Sequence, residues 1–334
     1  MTTPCPDSLA RDPPLLPNGA TLQAVLDIVL PVFGLVLLGY LVARTPLLTP
    51  EGIKGITNFV FFVAIPVMLF RSVSSLKIPD SVDPLLPVAY FAGVFVVYAA
   101  SMVLGRGAFK LRGDDCALFA MGSTYSNLVL LGIPLVYLAL GDKGLIAILL
   151  VVAVHALVLI TLTTILIELT RGRGATWRRS VVTAAGALTR NPVILGLAAG
   201  LAWGATGLEL PKSVERLADM LKAAAPPAAL FAVGASLAGF RLVGDPAQSA
   251  TIIVLKLVAL PAAVWASAVY VFALSPLNVA VATLAAAMPT GVNAFLLASA
   301  YDTYRERSAT AVVVSTALAV VTVGLLIAFF APAA

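Results

Sequence analysis

The sequence predicts an all-α integral membrane protein of ten transmembrane helices, built as two five-helix repeats of inverted topology. Three observations predict it. The 334-residue chain is 60% hydrophobic and only 11% charged. Its apolar runs recur at the length of a membrane span. The pattern of the first half returns in the second half at a nearly constant offset.

The composition excludes an ordinary soluble domain. A mean hydropathy of +1.03 leaves too little polar side chain to cover a surface that meets water. A bilayer removes that demand, and roughly 20 apolar residues cross it as a helix. Ten spans use roughly 200 residues, which leaves short loops and no separate soluble domain. The net charge is +5, but the basic residues sit between apolar runs, so they read as topology signals and not as a nucleic-acid surface. Cys5 and Cys116 form no disulfide framework and have no metal-ligand spacing. His155 is the single histidine, which argues against a metal centre, a cofactor or an intramembrane enzyme.

Residues 1–20 carry Pro4, Pro6, Pro13, Pro14 and Pro17. They lack the basic start and apolar core of a signal peptide and read as an irregular tail. Apolar runs then place spans at 22–43, 54–74, 85–105, 115–139, 144–168, 182–204, 213–239, 248–272, 277–300 and 308–330. The first repeat covers 21–168, a basic loop covers 169–181, and the second repeat covers 182–334. The run at 213–239 opens with Glu215, Arg216, Asp219 and Lys222, so its membrane part is expected to start near Leu221. With the 169–181 loop in the cytoplasm, thirteen Lys and Arg residues fall on that side and seven on the other. That asymmetry predicts both termini outside. The cluster from Arg171 to Arg179 reads as an anchor beside lipid headgroups.

The repeat is visible residue by residue. At an offset of 161, Pro31 to Gly39 lies over Pro192 to Gly200, and Pro66, Leu69, Phe70, Ser75 and Leu76 lie over Pro227, Leu230, Phe231, Ser236 and Leu237. At an offset of 166, Thr124, Asn127, Leu130 and Leu131 meet Thr290, Asn293, Leu296 and Leu297. Five spans per unit is an odd number, so the second unit enters the membrane from the opposite side, as in many secondary transporters.

Within the fourth and ninth spans the pattern changes character. Thr124, Ser126, Asn127, Gly132, Ile133 and Pro134 stand mid-span in one, and Pro289, Thr290, Gly291 and Asn293 stand at equivalent places in the other. Proline removes a backbone donor and glycine permits unusual dihedrals, which predicts discontinuous, crossed helices with Gly132, Ile133, Pro134 and Pro289 at the breaks. Exposed peptide groups in lipid cost several kcal/mol each, so such breaks are expected to line a ligand site. Half-helix N-termini carry partial positive charge, and Asn127 and Asn293 both donate and accept. Together with Thr124, Thr290, Ser126 and Gly291 they are the candidate substrate-binding residues. Lys256, in the eighth span, is costly to bury. It either snorkels to the interface, balances substrate charge or binds carbonyls of a broken helix. His155, in the fifth span, is a candidate for proton coupling or a packing residue. Asp114 and Asp115 read as a polar helix start. The fourth and ninth spans hold no mid-membrane carboxylate, so a small anion suits the site better than a cation.

These residues carry a family resemblance. Leu48 to Val60 followed by Ala64-Ile65-Pro66, Asn127 to Leu135, Arg190-Asn191-Pro192, Ala229 to Leu237, Lys256-Leu257 with Pro261, and Met288 to Ala298 resemble the auxin efflux carrier family from about residue 25 to 330. The short central loop is similar to that of bacterial members. The resemblance implies export or uptake of small carboxylates from the bacterial inner membrane, and a fold shared with bile-acid symporters. It also implies a scaffold of helices 1, 2, 6 and 7, a mobile transport domain of helices 3–5 and 8–10, and a homodimer joined through the scaffold. Asn127, Ile133 and Pro134 match the family's motif directly, whereas plant members lack an Asn at the Asn293 position. The coupling ion, proton or sodium, is not legible. A sodium-coupled symporter of larger anions and a transporter-like sensor remain the competing readings.

Overall fold

A computed structural model describes residues 22–74, 83–171, 191–240 and 244–330. The expected tail 1–20, most of the basic loop 169–181 and the start of the span read at 182–204 lie outside the described residues. Eleven helices are described: α1 (Leu22–Ala43), α2 (Pro50–Ser74), α3 (Leu85–Gly107), α4 (Gly113–Thr124), α5 (Leu128–Thr170), α6 (Pro192–Ala205), α7 (Lys212–Leu237), α8 (Pro246–Val271), α9 (Pro276–Ala287), α10 (Val292–Ala300) and α11 (Arg305–Phe330). Among the described residues there is no strand, only one isolated β-bridge. Six helices, α2, α3, α5, α7, α8 and α11, are long and apolar enough to cross a membrane. Leu30, Val103 and Leu325 stay exposed on outer faces, a surface suited to lipid and not to water.

Helix starts follow local chemistry. Thr49, Asn191, Asp245 and Ser275 each precede a proline, and each side chain accepts a backbone N–H from the first turn of α2, α6, α8 or α9. Proline at the first helical position sacrifices only a donor that has no intrahelical partner. Interior prolines act differently. Three π-helical turns, Val60–Ala64, Leu128–Gly132 and Leu255–Ala259, each end two residues before a proline (Pro66, Pro134, Pro261). The wider turn absorbs the missing hydrogen bond and the ring's clash, so the chain stays helical through all three.

The 43-residue α5 would be too long for one span if straight. It turns at Gly141, whose φ of 64° and ψ of −158° are non-helical. This residue lies between the spans expected at 115–139 and 144–168.

Two packed groups emerge. In one, α1 lies along α7, and α2 lies along α6 and α7; in the other, α3 packs on α4 and α8, and α9 packs on α8 and α5. Backbones touch in the first group. A Cβ added at Gly39 of α1 would lie 2.1 Å from Phe231 O of α7, and one at Gly200 of α6 would lie 2.7 Å from Phe70 O of α2. Arg71 of α2 is tied to Glu215 (2.6 Å) and Asp219 (2.7 Å) of α7.

Gly39→Ala and Gly200→Ala are therefore each expected to cost about 1–3 kcal/mol through overpacking. Gly55→Ala, whose Cβ would meet nothing within 4 Å, should leave thermal unfolding in detergent unchanged. Equal melting temperatures for all three variants would contradict the close backbone contact.

Candidate functional site

The helical ladder stops twice deep in the protein, and the two interruptions lie against each other. Between α4 and α5, Tyr125 is extended (φ −76°, ψ 110°), and Asn127 is also non-helical (φ −76°, ψ 69°). Between α9 and α10, Met288 (φ −58°, ψ 142°) and Gly291 (φ −77°, ψ 149°) leave the helical region. The segments pair antiparallel at Ser126 and Thr290. Asn127 N donates to Pro289 O and Gly291 N donates to Tyr125 O, both at 2.9 Å. Each gap thus satisfies peptide groups of the other, which removes most of the cost of broken helices away from water.

The position of the first interruption differs from the expectation. It falls at Tyr125–Asn127, upstream of Gly132, Ile133 and Pro134. Gly132 closes the π turn, with Gly132 N donating to Asn127 O at 3.0 Å, and Pro134 sits in the first turn of the α-helix that follows. Pro289 does lie within the second interruption.

Side chains lock the crossing. Thr124 Oγ1 donates to Ala120 O (2.7 Å), and Thr290 Oγ1 donates across to Gly122 O (2.8 Å). Thr290 N donates to Ser315 Oγ of α11 (3.0 Å). Both threonines are fully buried, and their hydroxyl protons are spent on carbonyls. Gly291 is needed by close approach, since an added Cβ would lie 2.8 Å from the Tyr125 ring. Asn293 Nδ2 donates to Tyr125 Oη at 2.6 Å. The Asn127 carboxamide makes no hydrogen bond to a described residue. It is 8% exposed, and Asn293 is half-buried, so these two amides are the polar groups of the crossing closest to the outside.

Lys256 does not snorkel. It is fully buried, carried inside on a π-helical turn of α8. Its Nζ donates to Ser126 Oγ (2.8 Å) and to Ala286 O (2.6 Å) in the last turn of α9. A cation at a helix C-terminus is favourable, because the last carbonyls are unpaired and carry partial negative charge. His155 of α5 is buried and accepts Ser126 N–H at Nε2 (3.1 Å). That bond requires a lone pair there, so the ring proton resides on Nδ1, which faces Tyr90 Oη at 3.4 Å. Tyr90 Oη is also 3.4 Å from Ser126 Oγ, and the Tyr125 and His155 rings meet at a 50° tilt with centroids 4.7 Å apart. Lys256, His155 and Tyr90, from three helices, thus converge on Ser126. Among the described residues, no cluster of His, Cys, Asp or Glu has the make-up of a metal site.

Sequence reasoning missed Tyr90, Tyr125 and Ser315. Tyr125 lies between Thr124 and Ser126 and was legible by adjacency. Tyr90 stands alone in an apolar run, where its hydroxyl was the only signal. Asp114 proves to be paired with Arg171 at 3.0 Å, near the end of α5 and away from the crossing.

The fold and crossing define a multi-pass helical membrane protein with its polar centre inside the apolar layer. Residues 24–327 match the family described as membrane transport protein, and the chain belongs to this family, the auxin efflux carriers, whose members transport and are not enzymes. It is 29% identical over 302 residues, 90% of this chain and 93% of the relative, to a candidate malonate transporter of Rhizobium meliloti (strain 1021). It is 32% identical over 124 residues, 36% of this chain and 40% of the relative, to an uncharacterized transporter of Methanocaldococcus jannaschii. It is also 26% identical over 241 residues to the lysosomal cholesterol signaling protein of Mus musculus, covering 68% of this chain and 27% of that protein.

His155→Leu is expected to leave the Ser126 N–H unpaired and cost about 1–3 kcal/mol. His155→Gln retains an acceptor and should recover much of the loss, read as melting temperature. No difference between the two would mean that the imidazole does not hold the crossing.

Proposed function

We propose that the protein is a secondary carrier of a small organic anion, a mono- or dicarboxylate, working by elevator-type alternating access. The observation that carries this reading is the crossing, where the N-termini of α5 and α10 meet beside the Asn127 and Asn293 carboxamides. First-turn N–H groups and amide donors suit a carboxylate. Lys256 sets a positive charge behind them, which lowers the cost of moving an anion through a low-dielectric interior. The naming of the R. meliloti relative as a candidate malonate transporter supports a dicarboxylate such as malonate.

In this reading each residue has its part. Asn127 and Asn293 meet the substrate. Thr124, Thr290 and Gly291 hold the two breaks together, while Gly132, Ile133, Pro134 and Pro289 shape them. Ser126 orients Lys256, and His155 with Tyr90 offers a route for a coupled proton. Helices α1, α2, α6 and α7 form the scaffold and the homodimer seam. The remaining helices form the moving body, with α4–α5 and α9–α10 as its broken pairs.

The inverted ten-span repeat has independent support in packing. The contact of Gly39 with Phe231 and that of Gly200 with Phe70 exchange under the offset of 161, because Gly39 corresponds to Gly200 and Phe70 to Phe231. A bacterial inner membrane location with both termini outside follows from the basic asymmetry. Arg44, Arg106 and Arg171 face the cytoplasm on this reading, and Lys222 the exterior.

The central test is uptake of radiolabelled malonate by proteoliposomes. Asn127→Ala should lower the initial rate at least about tenfold, the loss of one charge-assisted contact, with an unchanged melting temperature. Wild-type flux in that variant would remove the site assignment. Repeating the assay with and without sodium at two pH values identifies the coupling ion, and binding without flux would favour a sensor.

Movement has its own test. Lys222 of the scaffold pairs with Asp142 of the moving body at 2.9 Å. A disulfide between Asp142→Cys and Lys222→Cys should abolish flux, and reduction should restore it. Full transport in the cross-linked protein would exclude relative sliding of these two groups.

A further inference from the structure

A groove of about 620 Å³ runs between α1 and α11, and the transport reading does not use it. Phe33, Gly34, Leu37 and Tyr40 of α1 form one wall, and Ala317 and Val320 of α11 form the other. Two polar side chains line it, and both are already engaged. Thr316 Oγ1 donates to Val312 O at 2.6 Å, and Tyr40 Oη accepts from Arg44 Nη2 at 2.8 Å. A hydrophilic solute would therefore find only the Tyr40 hydroxyl proton, at one end of the groove, as a partner. A Cβ at Gly34 would meet nothing within 4 Å, so the missing side chain opens the groove and serves no helix contact.

The groove's dimensions and its one charged end specify an occupant. From Val29 to Tyr40 the wall is about 16 Å long at ~1.5 Å per residue. One leaflet's share of the hydrocarbon core is about 15 Å. Arg44 lies one turn beyond Tyr40, exposed, with its guanidinium carbon 5.1 Å from that ring's centroid. Tyrosine and arginine at the end of an apolar helix mark the headgroup level, and the unused guanidinium N–H groups match a phosphate. We propose that this groove binds an anionic phospholipid, with an acyl chain laid along α1 between Val29 and Tyr40 and the phosphodiester held by Arg44. Because α11 also packs on α8, α9 and α10, a lipid seated there bridges α1 to that group.

The test reads binding directly and needs no flux, so its failure is distinguishable from failure of the carrier reading. Protein reconstituted in phosphatidylcholine–phosphatidylglycerol nanodiscs is released and weighed by native mass spectrometry. The wild type should retain phosphatidylglycerol over phosphatidylcholine. Arg44→Gln should weaken that preference about tenfold, the worth of one charge-assisted contact. Gly34→Leu and, on the facing wall, Ala317→Leu should fill the groove and lose the lipid while melting as the wild type does. Retention of phosphatidylglycerol by both filled variants, or an unchanged preference in Arg44→Gln, would overturn the site. So would dissociation of a dimer by Gly34→Leu with lipid retention intact, which would make the groove a seam between copies.

Discussion

The antiparallel bridge between Ser126 and Thr290 is the constraint on which the rest depends. Two broken helices inside an apolar layer are each unstable, because their terminal peptide groups have no water to turn to. Crossing them at their breaks removes the problem for both at once, through Asn127 N to Pro289 O and Gly291 N to Tyr125 O. The arrangement also leaves four helix ends in one place, two of them positive and two negative. Everything polar nearby answers to those ends. Lys256 sits on the carbonyl end of α9, and the asparagines stand at the amino ends of α5 and α10.

Burying Lys256 without a described carboxylate partner is costly on its own. The carbonyl of Ala286, the hydroxyl of Ser126 and the dipole of α9 offset part of that cost, and an incoming anion would offset more. On the proposed carrier reading, a Lys256 charge left under-compensated at rest would be completed by the substrate, whereas a resident carboxylate would already satisfy it. The same logic separates the two kinds of hydroxyl at the crossing. Thr124 and Thr290 have given their protons to carbonyls and contribute geometry. Ser126 is the hub that links the cation to the imidazole.

Much of this was legible in the sequence. The apolar runs located the helices because their spacing reflects bilayer thickness. The cap–proline pairs at Thr49, Asn191, Asp245 and Ser275 also mark helix starts, but the apolar runs alone placed those spans from 54, 182, 248 and 277. Both interrupted segments were legible from Gly, Pro and polar residues in equivalent places. The location of the first break was not. Ile133-Pro134 looks like a stop, yet a proline after a π turn continues the helix, and no local signal separates the two outcomes. The environment of Lys256 was hidden for a different reason. Whether a lysine snorkels or turns inward depends on the helix's rotation, and the π turn at Leu255–Ala259 resets that rotation. Tyr90 reaches the crossing from an almost wholly apolar helix, and Ser315 from one whose other hydroxyls, Ser308, Thr310, Thr316 and Thr322, leave it undistinguished.

The repeat and the site obey different rules. The close glycines, the paired breaks and an asparagine beside each recur in both halves. The side chains that converge on Ser126 do not. At the offset of 166 that relates Asn127 to Asn293, Lys256 corresponds to Tyr90, and both approach the same Ser126 oxygen, at 2.8 and 3.4 Å. One half therefore supplies a cation where the other supplies a neutral hydroxyl. His155 corresponds to Val321 at that offset, so the imidazole is also one-sided. Asn293 is held by Tyr125 while the Asn127 amide is unengaged among the described residues. The proposed inverted repeat would allow two packings of similar energy, which the proposed alternating access requires. On the proposed carrier reading, the asymmetric polar set would give a bound anion one preferred orientation, with its carboxylate toward the Asn127 amide and its charge balanced by Lys256.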